Sequence, residues 1–192
     1  MCLFAKSEPK AAEVSVACWK FVEVVEGLNG ERITITPYTF KPIGESELKG
    51  DIPFKAKGVH CIEQNERHDG EKCVSSGYIH TYAGLDMDVF ESEMEYLAHD
   101  VGGYDTYIST SAEDIGCEKS PRLLAVQLWR CVIPAGTEYI AGEVGGGELT
   151  GYASDEIVFC EMALEIGKDL AGSTHEQERY EKYGELMERI KS

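Results

Sequence analysis

Leu123-Leu-Ala-Val-Gln-Leu-Trp-Arg-Cys-Val-Ile133 is the most apolar run in the chain, and Pro134 stops it. It is short for a helix and rich in β-branched and aromatic side chains. With so few polar positions it reads as a central strand buried on both faces. Such a strand needs partners, and the segments around it supply them. Thr137 to Ala141 reads as another short strand. Gly142 to Gly151 holds five glycines and reads as a mobile loop. Asp155 to Met162 (DEIVFCEM) is a further strand.

The first half of the chain repeats the theme. Val14 to Val25 (VSVACWKFVEVV) has no Gly or Pro and reads as a strand. Asn29-Gly30 tolerates the positive φ of a tight reverse turn. Arg32 to Thr36 (RITIT) alternates polar and apolar, as a half-buried return strand does. Pro37, Pro42 and Gly44 then break the chain. Gly58 to Ile62 reads as a short strand, Glu63 to Lys72 as a polar loop, and Tyr104 to Ser111 as a strand running into a turn.

Two segments carry helical spacing. Asp88 with Glu91 makes a capping-box pattern, followed by a stripe of Phe90, Met94, Leu97 and Val101 that Gly102-Gly103 ends. Thr174 with Gln177 opens a second, with Tyr180, Tyr183, Met187 and Ile190 as its stripe. Many strands, two helices and no strand–helix alternation predict an α+β fold. The expectation is one domain over residues 1–192, with a split or twisted mainly antiparallel sheet and two principal helices.

Charge bounds the function. The 35 acidic residues outnumber the 18 basic ones, for a net charge of −17. That surface repels phosphate backbones and anionic membranes, so neither nucleic acid nor membrane is an expected partner. It attracts a basic protein partner and steers its approach. Seven cysteines and no leader-like apolar run predict reduced thiols in a cytoplasmic protein. Cys18, Cys131 and Cys160 lie in apolar runs and read as core residues.

Three stretches carry a family resemblance. Ser109-Thr110-Ser111, then IPAGTEYIAG from Ile133 to Gly142, then Ser154-Asp155-Glu156-Ile157-Val158-Phe159, resemble the second half of an arginine-type ADP-ribosyltransferase domain. About 45 residues separate the Ser-Thr-Ser from Glu156, which suits the family. The resemblance covers roughly Tyr104 to Met162. It implies an ADP-ribosyltransferase-like fold, NAD as substrate, and Glu156 as the catalytic carboxylate. Ser109 would help shape the catalytic site, with Thr110 and Ser111 beside it at the nicotinamide pocket. Lys20, in Trp19-Lys20-Phe21, stands where the family has a pyrophosphate-binding Arg. Ser154 stands where arginine-modifying members carry Glu or Gln. The chemistry is coherent: a carboxylate aimed at the ribose stabilises the positive charge that grows as the nicotinamide bond breaks.

In the first half, CWKFV, TPYTF and Gly58-Val59-His60-Cys61 resemble a group of phage and gut-bacterial proteins to which no function attaches. The second functional expectation is therefore a non-enzymatic, acidic interaction or inhibitor protein. Cys61, His68, Cys73 and His80 have the residue types of a tetrahedral zinc site. Their spacings of six, four and six intervening residues match no common zinc module, and no metal is expected.

Overall fold

The computed structural model describes residues 3–26, 30–37, 41–56, 60–64, 71–85, 123–144 and 149–167. Its strands are β1 (Leu3–Ala5), β2 (Lys10–Ala11), β3 (Val16–Glu26), β4 (Arg32–Ile35), β5 (Phe54–Lys55), β6 (Cys61–Gln64), β7 (Lys72–Ser76), β8 (Ile79–Tyr82), β9 (Leu123–Ile133), β10 (Glu138–Val144), β11 (Thr150–Ser154) and β12 (Glu156–Gly167). One single-turn helix, α1 (Glu45–Leu48), interrupts them. The strands follow the order β5-β12-β9-β3-β8-β11-β10-β1-β7-β6, with β2 against β10 and β4 against β3.

This corrects the expected fold class. The described residues form a nearly all antiparallel sheet, with no helix of seven or more residues, rather than an α+β fold with two principal helices. The physical reason lies in β3, β9 and β12. Long runs of β-branched and aromatic residues extend these strands to 11, 11 and 12 residues, so the sheet supplies its own core. In β3 every residue from Lys20 to Val25 is buried, on both faces. The stretches with helical spacing, 88–101 and 174–190, lie outside the described residues, as does the strand expected over 104–111. Among the described residues no helix is long and apolar enough to cross a membrane.

The chain divides into two compact units. Unit 1 takes residues 1–20, 45–84 and 130–161; unit 2 takes 21–44, 85–129 and 162–192. β3, β9 and β12 contribute residues to both.

In unit 1, Leu3, Val74, Ile140 and Ala153 form a buried cluster, with Ala5, Tyr78 and Val144 packed against it. The glycine-rich stretch is partly sheet and not simply a loop. Gly142 in β10 lies opposite Gly151 in β11. A Cβ on Gly142 would stand 2.3 Å from the carbonyl oxygen of Phe4, and one on Gly151 would stand 2.5 Å from Val144 Cγ2. These two glycines permit close packing of β1, β10 and β11, so their composition misled the loop reading. Phe54 on β5 meets Phe159 on β12 edge to face, with ring centroids 6.1 Å apart.

In unit 2, β3 and β4 pair from Glu23 opposite Ile35 to Glu26 opposite Arg32. A relay of side chains crosses this unit. The Trp129 indole N–H donates to Gln127 Oε1 (2.9 Å), Gln127 Nε2 donates to Glu165 Oε2 (2.6 Å), and Arg32 pairs with the same oxygen (2.7 Å).

Two smaller expectations also change. Cys18 and Cys131 are buried, but Cys160 on β12 is exposed. The loop expected over 63–72 instead begins inside β6 and ends inside β7.

Candidate functional site

The site grows from the bend between β11 and β12 in unit 1. Ser154 ends β11, Asp155 forms the bend and Glu156 opens β12. The backbone here is fixed from several sides. Asp155 N–H donates to the Glu138 carbonyl (3.2 Å), and the Asp155 carbonyl accepts from Ala56 N–H (2.7 Å). Ser154 is fully buried, and its hydroxyl donates to the Glu156 carbonyl (3.2 Å). A bend anchored this way presents two consecutive carboxylates from a rigid frame.

Each carboxylate has a distinct neighbour. His60 Nε2 lies 2.6 Å from Asp155 Oδ1, with the two side chains 39% and 40% exposed. The His60 ring stacks on Tyr78 at 3.8 Å between centroids and 16° between planes. Burial, and then the carboxylates of Glu138 and Asp155, push the Tyr78 phenol above its ordinary range and keep it protonated. Glu156 accepts a hydrogen bond from Thr137 Oγ1 at 3.1 Å. The register explains that bond: Tyr139 lies opposite Ser154, so two residues further on in opposite directions Thr137 and Glu156 come abreast.

The arrangement therefore holds Glu138 and Asp155 close to a stacked imidazole and phenol, with Glu156 next in the chain on Thr137. It can accept hydrogen bonds, attract a cation and offer an aromatic face to one. Of the basic side chains of unit 1, Lys55 on β5 lies opposite Glu156 and others pair with carboxylates elsewhere. Lys6 pairs with Glu71 and Glu143, Lys72 with Glu8, and Lys49 with Glu45.

Of the residues expected at an NAD site, Glu156 stands in this cluster. Lys20 bonds elsewhere in unit 1. It lies on β3 with 9% of its surface exposed, and its ammonium donates to the His80 carbonyl at 2.9 Å. Ser109, Thr110 and Ser111 lie outside the described residues. Sequence reasoning missed His60, Tyr78 and Thr137 as site residues. Thr137 had a signal, because the Pro134-Ala135-Gly136-Thr137 turn fixes where β10 begins. His60 and Tyr78 had none, since their partner Asp155 is some 77 to 95 positions away in the chain.

Of the four candidate zinc ligands, the side chains of Cys73 and His80 are described. Cys73 is disulfide-bonded, which also departs from the expectation of reduced thiols. The ring nitrogens of His80 are sealed from solvent, and His68 lies outside the described residues. Among the described residues no group of three His, Cys, Asp or Glu side chains is placed to hold a metal.

Comparison of the chain with protein families, curated proteins and solved structures finds no match.

Proposed function

We propose that this chain is an acidic interaction protein that binds a basic protein partner through the face made by Tyr78, Glu138, Asp155 and Glu156. The observation that carries this reading is the placing of two carboxylates, Glu138 and Asp155, beside a fixed aromatic stack, with Glu156 next in the chain, in a protein whose net charge is −17. Lysine and arginine side chains suit such a face twice over. Carboxylates accept their N–H donors, and an aromatic ring attracts their charge. Long-range attraction speeds the encounter, and the local cluster fixes where the partner lands.

The test is binding to an arginine-rich peptide as a function of ionic strength. Affinity is expected to fall at least about tenfold between about 50 and about 300 mM salt. The triple change Glu138→Gln, Asp155→Asn, Glu156→Gln is expected to remove most of the binding at low salt. Equal binding by the triple variant would move the contact face elsewhere.

A second reading is favoured by one observation, the hydrogen bond from Thr137 to Glu156. A carboxylate held by a hydroxyl from the neighbouring strand is what NAD glycosidic cleavage asks of its catalytic glutamate. Lys20, buried and bonded to a backbone carbonyl, gives this reading no pyrophosphate contact. Nicotinamide release from NAD that disappears in Glu156→Gln supports it. Absence of release, with no shift in melting temperature on adding NAD, removes it.

A further inference from the structure

His80 is the most unusual side chain among the described residues. It sits in β8 opposite Ala153 of β11, so it shares the side of the sheet on which Leu3, Val74, Ile140 and Ala153 pack. Both ring nitrogens are sealed from solvent, and neither meets a hydrogen-bond partner. A neutral imidazole always carries one N–H and one lone pair, so burying it this way leaves both unsatisfied. Interiors seldom keep such a group without a use for it.

The surroundings make protonation worse. Lys20 on β3 places its ammonium on the carbonyl of His80 itself, 2.9 Å away. The other titratable groups nearby are the phenol of Tyr82 on the same strand, that of Tyr78 just before it, and the Cys18 thiol, which lies beside Thr81. The phenol of Tyr78 and the thiol of Cys18 are both held in their neutral forms, chiefly by burial. Among the described residues no carboxylate contributes to the charge around the ring. An imidazolium here would face the charge of Lys20 as well as the apolar side chains of the cluster.

We propose that His80 is an acid-operated release for β8: proton uptake by this imidazole on acidification favours the state in which β8 has left the sheet. β8 is a short strand of four residues between β3 and β11, and His80, half-buried as a residue, keeps both ring nitrogens sealed. Burial, and then Lys20, depress the affinity of the folded imidazole for protons, from an ordinary value of 6.5 to about 3. The sign follows from linkage. Above pH 6.5 the ring is neutral whether β8 is in or out, and the closed state has its full stability. Between 6.5 and about 3 only the released strand binds the proton, so each pH unit favours release about tenfold. The stabilisation is thus present at neutral pH and lost as pH falls. An aliphatic or aromatic residue at position 80 would pack the same space without that response.

Hydrogen–deuterium exchange of the segment Ile79–Tyr82 tests this in the full chain. Wild type and His80→Gln are compared at equal pH, which cancels the intrinsic pH dependence of exchange. Between pH 6.5 and 4.5, wild-type protection of β8 is expected to fall about 100-fold more than that of the variant. Protection over Glu138–Val144 should fall less. His80→Phe serves in the same comparison if the glutamine variant does not fold. Lys20→Met should weaken the loss of protection at the acid end of this range, because removing a repelling charge lets the folded ring take up its proton more readily. Parallel loss of protection in wild type and variant would overturn the proposal. So would equal loss in β8 and β10, or a His80 ring that titrates near pH 6.5 by NMR while the sheet is intact.

Discussion

An alanine at Gly142 would bring a methyl group to within 2.3 Å of a backbone oxygen, that of Phe4 on the neighbouring strand. Backbone cannot swing aside as a flexible side chain can, so the ladder between β1 and β10 would have to separate there. Gly142→Ala is expected to lower stability by at least about 2 kcal/mol, read from urea unfolding. Glycine in a sequence signals permission, and the chain alone does not say whether permission is for motion or for closeness. The same limit applies at the site. Glu156 was named from a family resemblance, and the structure places its carboxylate on the Thr137 hydroxyl. His60 and Tyr78 were not legible, because a stacking pair separated by 18 residues leaves no local pattern. His80 was legible only as a metal-ligand type, and its enclosure by β3 and β11 depends on pairing that no local spacing encodes.

Among the elements, those with a strong internal pattern were read well. Leu123–Ile133 is a strand over the expected residues, and Val16–Glu26 and Arg32–Ile35 match their expected positions within one or two residues. Their long apolar runs or clean alternation leave little choice of conformation. β1, β2, β5, β7 and β8 are two to five residues long, too short to express a period. Partners hold such strands, as β5 illustrates. It consists of Phe54 and Lys55, with Phe54 opposite Ile157 and its ring 1% exposed against Phe159. Phe54→Ala is expected to cost about 3–5 kcal/mol, because a large buried ring leaves a cavity and the strand loses its anchor. Thermal unfolding followed by circular dichroism measures it. A loss below about 1 kcal/mol would mean that β5 contributes little to the sheet.

For the whole molecule, charge and covalent links set the terms. Surface ion pairs such as Lys6–Glu71 and Lys72–Glu8 join neighbouring segments, but exposed pairs of this kind add little stability. Their larger effect is to use up positive charge that would otherwise soften the acidic surface. The disulfide at Cys73 is a different restraint, since it acts on the unfolded chain. Adding a thiol reductant is expected to lower stability by about 2–4 kcal/mol, and the same treatment of Cys73→Ser should change nothing further. An unchanged melting temperature on reduction would show that this bond leaves the unfolded ensemble almost as free as before. Composition, from which the charge was read, could not anticipate the bond, because a count of thiols says nothing of which ones meet.

The division of the chain has a consequence for the newborn protein. Each unit draws on three separate stretches, and unit 1 is complete only when residues 130–161 have joined residues 1–20. A ribosome adding roughly 5–20 residues per second needs on the order of ten seconds to span that gap. For that interval the apolar β3 segment has been made but the strand next to it, β9, has not. Its exposed edge can recruit other nascent chains, so yield during synthesis will depend on holding chaperones more than on final stability.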